Sequence, residues 1–237
     1  ARSAESGIKL ILTSAFASCL FLLGLSWIYA MSGSLAFAAV SVSALPAPVM
    51  LMGLALLISG FAFKLSAVPF HFWTADVYEG APVPVTAFLA NASKAAAAFA
   101  FVKVLHGVFF PLQAFWIPVL LLLACATMLL GNLFAMRQTN IKRFLAFSSI
   151  AQAGYVVLGM TGSSVMAVSS TTFFFFVYLF SNLAAFAVVA AAERFNENAG
   201  DIYAYRGLYH RHPKVALVFL LSLFALAGIP PAAGFFG

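Results

Sequence analysis

The sequence predicts an all-α polytopic membrane protein, and three observations carry that expectation. Of its 237 residues, 64% are hydrophobic and 8% charged, with a mean hydropathy of +1.06; a soluble domain carries about 25% charged residues. Apolar runs long enough to cross a hydrocarbon core of about 30 Å recur along the chain. The remaining charges fall on alternate connections. Arg2, Arg137, Lys142, Arg143, Arg194, Arg206, Arg211 and Lys214 lie on one side, while the connections around 32–48, 109–113 and 161–170 carry no charge. The positive-inside rule makes the basic side cytoplasmic. One missed crossing would scatter these charges over both sides, so their placement also supports the span count.

The first span runs from about Gly7 to Met31. Glu5 and Lys9 open it at i and i+4, on one face, where they can pair; a helix-end ion pair and a functional pair are both open readings. Residues 32–48 form an uncharged linker of small residues. The second span starts near Pro48 and contains Lys64, followed by Pro69, His71 and Trp73. A lysine near mid-bilayer costs about 2.5–3.5 kcal/mol on insertion scales and needs a partner or water. Pro69 lacks an N–H and clashes with the carbonyl of Leu65, so the helix is expected to break just after the lysine. Freed carbonyls at that depth are tolerated only inside protein or along a wet cavity. The polar segment 74–84 reads as a re-entrant link into a second half-helix starting near Val83, where prolines suit a helix start.

The next span passes Asn91, Ser93, Lys94 and the alanines 95–98 to Leu105. Its small residues permit close packing, and Lys94 is a second intramembrane lysine. Lys103 and His106, near its far end, are expected to snorkel to the interface. A plain apolar span, Leu112 to Met136, precedes a short basic loop, 137–143. Two further spans follow, Phe144 to Gly162, bearing Ser148, Ser149, Gln152 and Tyr155, and Thr171 to Ala192. In the polar stretch 193–213, Asp201 could cap one short helix with Ile202, Tyr205, Leu208 and Tyr209 on one side, its tyrosines at the headgroup level. The last span begins near Val215 and meets a second proline–glycine break at 228–234. Cys19 and Cys125 lie mid-helix and read as small packing residues. The chain reads as a single membrane domain over residues 1–237, a fragment of a longer protein.

No Gly-rich nucleotide loop, cysteine cluster, metal-ligand pattern or nucleophile elbow is visible, nor any attachment motif for a redox cofactor. His210 and His212 read as surface residues. A sparse series of ionisable groups in apolar helices remains: Lys64, His71 and Lys94, with Glu5 and Lys9 at one end. The expectation is that all three of the first group lie at similar depth and face the bundle interior. A lysine balanced between burial and a carboxylate can load and release a proton, and histidine can relay near neutral pH. Discontinuous helices flanking such a line are how transporters build mid-membrane sites.

The stretch Ala62-Phe63-Lys64-Leu65-Ser66-Ala67-Val68-Pro69-Phe70-His71-Phe72-Trp73-Thr74-Ala75-Asp76-Val77-Tyr78-Glu79-Gly80-Ala81-Pro82 closely resembles the antiporter-like N subunits (subunit 2) of respiratory complex I. The resemblance continues from Pro84 to Lys94 and returns at Asn140–Ile150 and at Ala227–Pro231. It implies an antiporter-like helix bundle with discontinuous helices, fourteen in the whole fold and about seven here, from the sixth into the first half of the twelfth. It implies that Lys64 is the lysine of the first broken helix, His71 the histidine of the break, Lys94 the lysine of the eighth helix, and Glu5 and Lys9 a paired acid and base. A carboxylate partner of Lys64 would precede Ala1, and a further lysine would follow Gly237. Two departures stand out: Gln152 where the family often has a histidine, so that water would carry the proton past it, and Ala75 in place of a usual proline.

The function implied is proton translocation within an NADH:quinone oxidoreductase in the bacterial inner membrane, through buried lysines and internal water. Flavin, iron–sulfur clusters and quinone would sit on partner subunits, with no cofactor or metal on this chain. Partners would be M-, K- and L-type membrane subunits and the lipid bilayer, not nucleic acid. Two alternatives remain at this point. One is a homologous subunit of a membrane hydrogenase, a photosynthetic NDH complex or a multi-subunit cation/proton antiporter. The other is a structural bundle whose lysines make fixed ion pairs.

Overall fold

The computed structural model describes residues 2–34, 36–37, 40, 47–195, 198–230 and 232–236. Helices dominate: α1 (Arg2–Ser32), α2 (Pro48–Leu65), α3 (Phe72–Gly80), α4 (Val83–Phe88), α5 (Lys94–Gly107), α6 (Gln113–Ala135), α7 (Ile141–Gly159), α8 (Val165–Phe195), α9 (Leu208–Arg211) and α10 (Pro213–Leu226). A π-helical turn, Leu89–Ser93, joins α4 to α5, making one continuous helical span Val83–Gly107. Among the described residues, five spans are long and apolar enough to cross a membrane: Ser3–Ser32, Pro48–Leu65, Val83–Gly107, Phe110–Ala135 and Met166–Phe195. α10, with 14 residues, is only about 21 Å long. It ends at Leu226, and Gly228 (φ +66°) turns the chain before Pro230.

Close approach of backbones sets the pairings. A Cβ on Gly24 would lie 2.8 Å from the Gly53 carbonyl oxygen, so α1 and α2 touch where both lack side chains; a Cβ on Gly131 would lie 2.7 Å from the Ala151 nitrogen, between α6 and α7. Such contacts are what small residues contribute in membrane bundles, where apolar side chains gain little by leaving lipid for one another. Phe21, Phe61 and Phe101 then tie α1, α2 and α5, edge-on at 5.3 Å and stacked at 4.6 Å.

Charges mark one end of the bundle. Lys9 of α1 bonds Asp76 of α3, Arg143 of α7 bonds Asp76 and Glu79, and Lys142 bonds Glu193 near the end of α8. The start of α1, the end of α3, the start of α7 and the end of α8 therefore lie together. That requires α2 and α3 to count as one crossing, as the charge placement in the sequence implied.

Several expectations need correction. The interruption after Lys64 is short: helix resumes at Phe72, so residues 74–80 are the second half-helix and not a re-entrant link. Trp73, Thr74, Ala75, Val77 and Tyr78 are buried there, and helix satisfies their backbone groups internally. The polar stretch after α8 holds two short turns, a 3₁₀ turn Ile202–Tyr205 and α9, separated by Gly207 in the left-handed region. Asp201 caps only the first, accepting from the Tyr203 amide at 2.9 Å. Cys19 and Cys125 are exposed on the outer face. Lys103 is exposed, but His106 is held by protein, its Nε2 3.0 Å from the Met160 carbonyl and its ring edge-on to Trp116. Most of the linker 32–48 lies outside the described residues.

Candidate functional site

The break between α2 and α3 is built by a helix terminator. Ser66 adopts φ 62°, ψ 32°, its amide bonds the Phe63 carbonyl at 3.0 Å, and the Ala67 amide bonds the Ala62 carbonyl at 2.8 Å. This is a Schellman ending, with serine where glycine is usual. The left-handed backbone costs a serine roughly 1–2 kcal/mol. Thr127 of α6 accepts from the Val68 amide at 3.0 Å. Proline chemistry at Pro69 was the right signal for the break, and the Ser66 turn is how the chain executes it.

Lys64 sits in the last turn of α2, where the partial negative charge of a helix C-terminus favours a cation. It does not face the bundle interior. It is exposed and points into a groove of about 700 Å³ whose other walls include Ser18, Phe21, Ser93 and Ala97. No described residue offers it a hydrogen bond or ion pair, since the groove walls contributed by α1 and α5 are mostly apolar. His71, immediately before α3, is buried against Phe72, with ring centroids 4.4 Å apart.

Lys94 is 2% exposed. Its Nζ donates to the Ser149 hydroxyl at 2.7 Å and to the Ser149 carbonyl at 3.2 Å. The Ser149 hydroxyl is 2.8 Å from the Tyr178 hydroxyl, which donates to the Ala90 carbonyl at 3.2 Å. Asn182 Nδ2 donates to Tyr178 and to Asn91 Oδ1. A buried amine is thus surrounded by neutral acceptors, with no carboxylate bonded to it. One helical turn along α7, Gln152 donates at 2.8 Å to the carbonyl of Leu226, an otherwise free acceptor at the end of α10. Buried polar groups on α7 thus contact both Lys94 of α5 and the end of α10.

The family profile described as NADH:quinone oxidoreductase/Mrp antiporter, transmembrane, matches residues 1–237. The chain belongs to this family. Among its curated relatives, NADH-quinone oxidoreductase subunit N of Azobacteroides pseudotrichonymphae genomovar. CFP2 is 49% identical over 235 residues, covering 99% of this chain and 49% of the relative. Respiratory complex I from Thermus thermophilus with bound aureothin contains a chain 36% identical, with a TM-score of 0.82, over 98% of this chain and 50% of that one. The Mrp complex from Dietzia sp. DQ12-45-1b contains one 26% identical, with a TM-score of 0.86, over 98% and 43%. The chain spans about half the length of the curated relatives it matches. It is an integral membrane protein of this antiporter family.

In this family member the Glu5–Lys9 ion pair forms at 2.8 Å, but Lys9 also reaches Asp76 at 3.0 Å. Asp76 and Glu79 both accept from Arg143, at 2.8 and 2.9 Å. Asn140 caps α7, accepting from the Lys142 and Arg143 amides. Two cations thus open a helix whose N-terminus repels them, and the facing carboxylates offset that cost. Reading the sequence missed Asp76, Glu79 and Arg143 as a cluster, and missed Tyr178 and Asn182. For the last two a signal was present: two polar residues at i and i+4 inside a Phe-rich apolar run share one face.

Proposed function

We propose that this chain forms part of the proton-translocating membrane subunit of an NADH:quinone oxidoreductase. One observation carries the reading: Lys94, buried mid-span, is held only by neutral hydroxyl and carbonyl acceptors. A cation inside a membrane is held by an anion or by backbone carbonyls, and Lys94 has no anion to fix its charge. An ammonium held by neutral acceptors can give up its proton without leaving a carboxylate stranded. Lys64, beside the break and open to the groove, is the loading site; His71 stands between the halves of the broken helix; Glu5 and Lys9 belong to the charged end. Each transfer breaks one N–H or O–H bond and forms another, so the path needs no oxidant. Electron carriers, flavin, iron–sulfur clusters and quinone belong to other subunits. M-, K- and L-type membrane subunits are its neighbours, in a bacterial inner membrane with the basic loops cytoplasmic.

A multi-subunit cation/proton antiporter is the competing assignment within the family. Fold likeness does not separate the two, since the TM-scores are 0.82 and 0.86. Sequence does, with 36% identity on the complex I side against 26%. Purification of the intact complex decides it: quinone-reducing, iron–sulfur partners are expected.

The test of mechanism is Lys64→Arg in the full-length subunit, with assembly checked by native gel. Arginine keeps its proton, so NADH-driven proton uptake and NADH oxidation should both fall. Normal pumping by an assembled Lys64→Arg complex would refute a titrating Lys64. Normal pumping by Lys64→Ala would remove it from the path.

A further inference from the structure

Buried polar atoms are almost always hydrogen-bonded. Among the described residues, five side-chain atoms are not: Ser66 Oγ, His71 Nδ1, Trp73 Nε1, Thr74 Oγ1 and Tyr78 OH. All five fall within the break and α3. Three of them, at positions 71, 74 and 78, are spaced i, i+3 and i+7, which places them on one face of a helix. His71 has helical φ and ψ (−91°, −11°), so that spacing holds from the break onward. Relative exposures are 5% for His71 and 0% for Thr74 and Tyr78.

The stripe points somewhere. The Tyr78 ring is held edge-on between Trp73 and Phe186, at 6.4 and 6.3 Å. Its hydroxyl lies close enough to interact with the Ser149 hydroxyl and the Tyr178 phenol, yet makes no hydrogen bond of regular geometry. Those two groups are bonded to each other, and Ser149 is bonded to Lys94. One face of α3 thus carries unpaired hydrogen-bonding groups from the broken helix toward the cluster that holds Lys94. Buried polar groups without protein partners are those that bound water satisfies, each water making two to four hydrogen bonds.

We propose that Thr74 and Tyr78, with water between them, carry protons from His71 to the Ser149–Tyr178–Lys94 cluster. This rests on the proton-translocating reading above and assigns it two further residues. Each hop breaks one N–H or O–H bond and makes another, and the hydroxyl of Tyr78 accepts on one side as it donates on the other. Trp73 Nε1, which can only donate, lies off the stripe and takes no part.

The experiment uses isosteres that separate hydroxyl from shape, in the full-length subunit within its assembled complex. Thr74→Val keeps the volume and removes the hydroxyl; Thr74→Ser keeps the hydroxyl and removes a methyl. Tyr78→Phe keeps the ring. NADH-driven proton uptake is measured in inside-out vesicles, with Lys94→Met alongside. Expected are a drop of about tenfold or more in proton-coupled turnover for Thr74→Val and Tyr78→Phe, and near-normal turnover for Thr74→Ser. A packing role predicts the reverse order for the two Thr74 variants and overturns the proposal. Normal turnover in Tyr78→Phe and Thr74→Val, with Lys94→Met inactive, overturns the path through α3 and leaves the translocating role intact. Normal turnover in Lys94→Met overturns that role itself.

Discussion

Two regions of this bundle handle charge in opposite ways. At its end, Lys9, Lys142 and Arg143 face Glu5, Asp76, Glu79 and Glu193, all ion-paired within 3.0 Å, with side chains between 13% and 65% exposed. In its middle, Lys94 bonds Ser149, which is linked through Tyr178 to Asn182 and Asn91, none of them charged. Paired charges near solvent hold helix ends in place and contribute modestly. A single cation among neutral dipoles contributes little to stability, because its desolvation offsets what its hydrogen bonds return. What it gains is the freedom to change protonation state without a partner anion opposing the change. The bundle end is therefore read as scaffold and the middle as machinery.

That contrast fails if substitutions in the two regions have similar consequences. The largest expected effect is in Lys94→Met: proton pumping falls at least about 10²-fold, while the melting temperature of the assembled complex does not drop, since a similar apolar volume replaces a buried charge. A fall in melting temperature with pumping retained would reverse the assignment. Next is Ser149→Ala, which removes the shorter of two contacts to Lys94 and leaves the Tyr178 hydroxyl only Ala90 and Asn182; about 1–3 kcal/mol of stability should be lost, because the bond to a charged group is among the stronger ones, together with slower pumping. Arg143→Ala should cost about 1 kcal/mol or less, because Asp76 and Glu79 remain partly solvated. Its cost should shrink as salt is raised in the thermal melt, and most pumping should survive. Smallest is Glu5→Gln: Lys9 keeps Asp76 as partner, and neither melting temperature nor proton uptake should move measurably.

The elements that were legible in the sequence were those whose cost is local. Lys64 and Pro69 announced a break because a charge and a missing amide are anomalous in an apolar helix whatever surrounds them. Lys94 stood out for the same reason, and alternation of basic loops gave the crossings. Partners were not legible, because they come from far along the chain: Ser149 is 55 residues from Lys94, and Arg143 is 67 from Asp76. Finding them requires knowing which way each helix is turned, and spans that are apolar on every face carry almost no rotational signal. The same limit explains Lys64. Its exposure depends on what lies against α2, which no feature of α2 itself reveals. The resumption of helix at Phe72 was missed because Asp76 and Glu79 look like loop residues until Arg143 and Lys9 are placed beside them.

The π-helical turn at Leu89–Ser93 acts as a phase shift inserted just before Lys94. A π turn of this kind holds one residue more than the α-helical ladder needs, and each residue rotates a helix by about 100°. Upstream, Thr86 is locked to the Tyr78 carbonyl; downstream, Lys94 is locked to Ser149. The wide turn takes up the extra residue, so both registers hold at once. Gain of one further codon between 89 and 93, which this turn has no second bulge to absorb, would swing Lys94 away from Ser149 by about 100°, without altering the chemical character of the sequence on either side. Along this span the length of the chain is as closely constrained as the identity of the lysine.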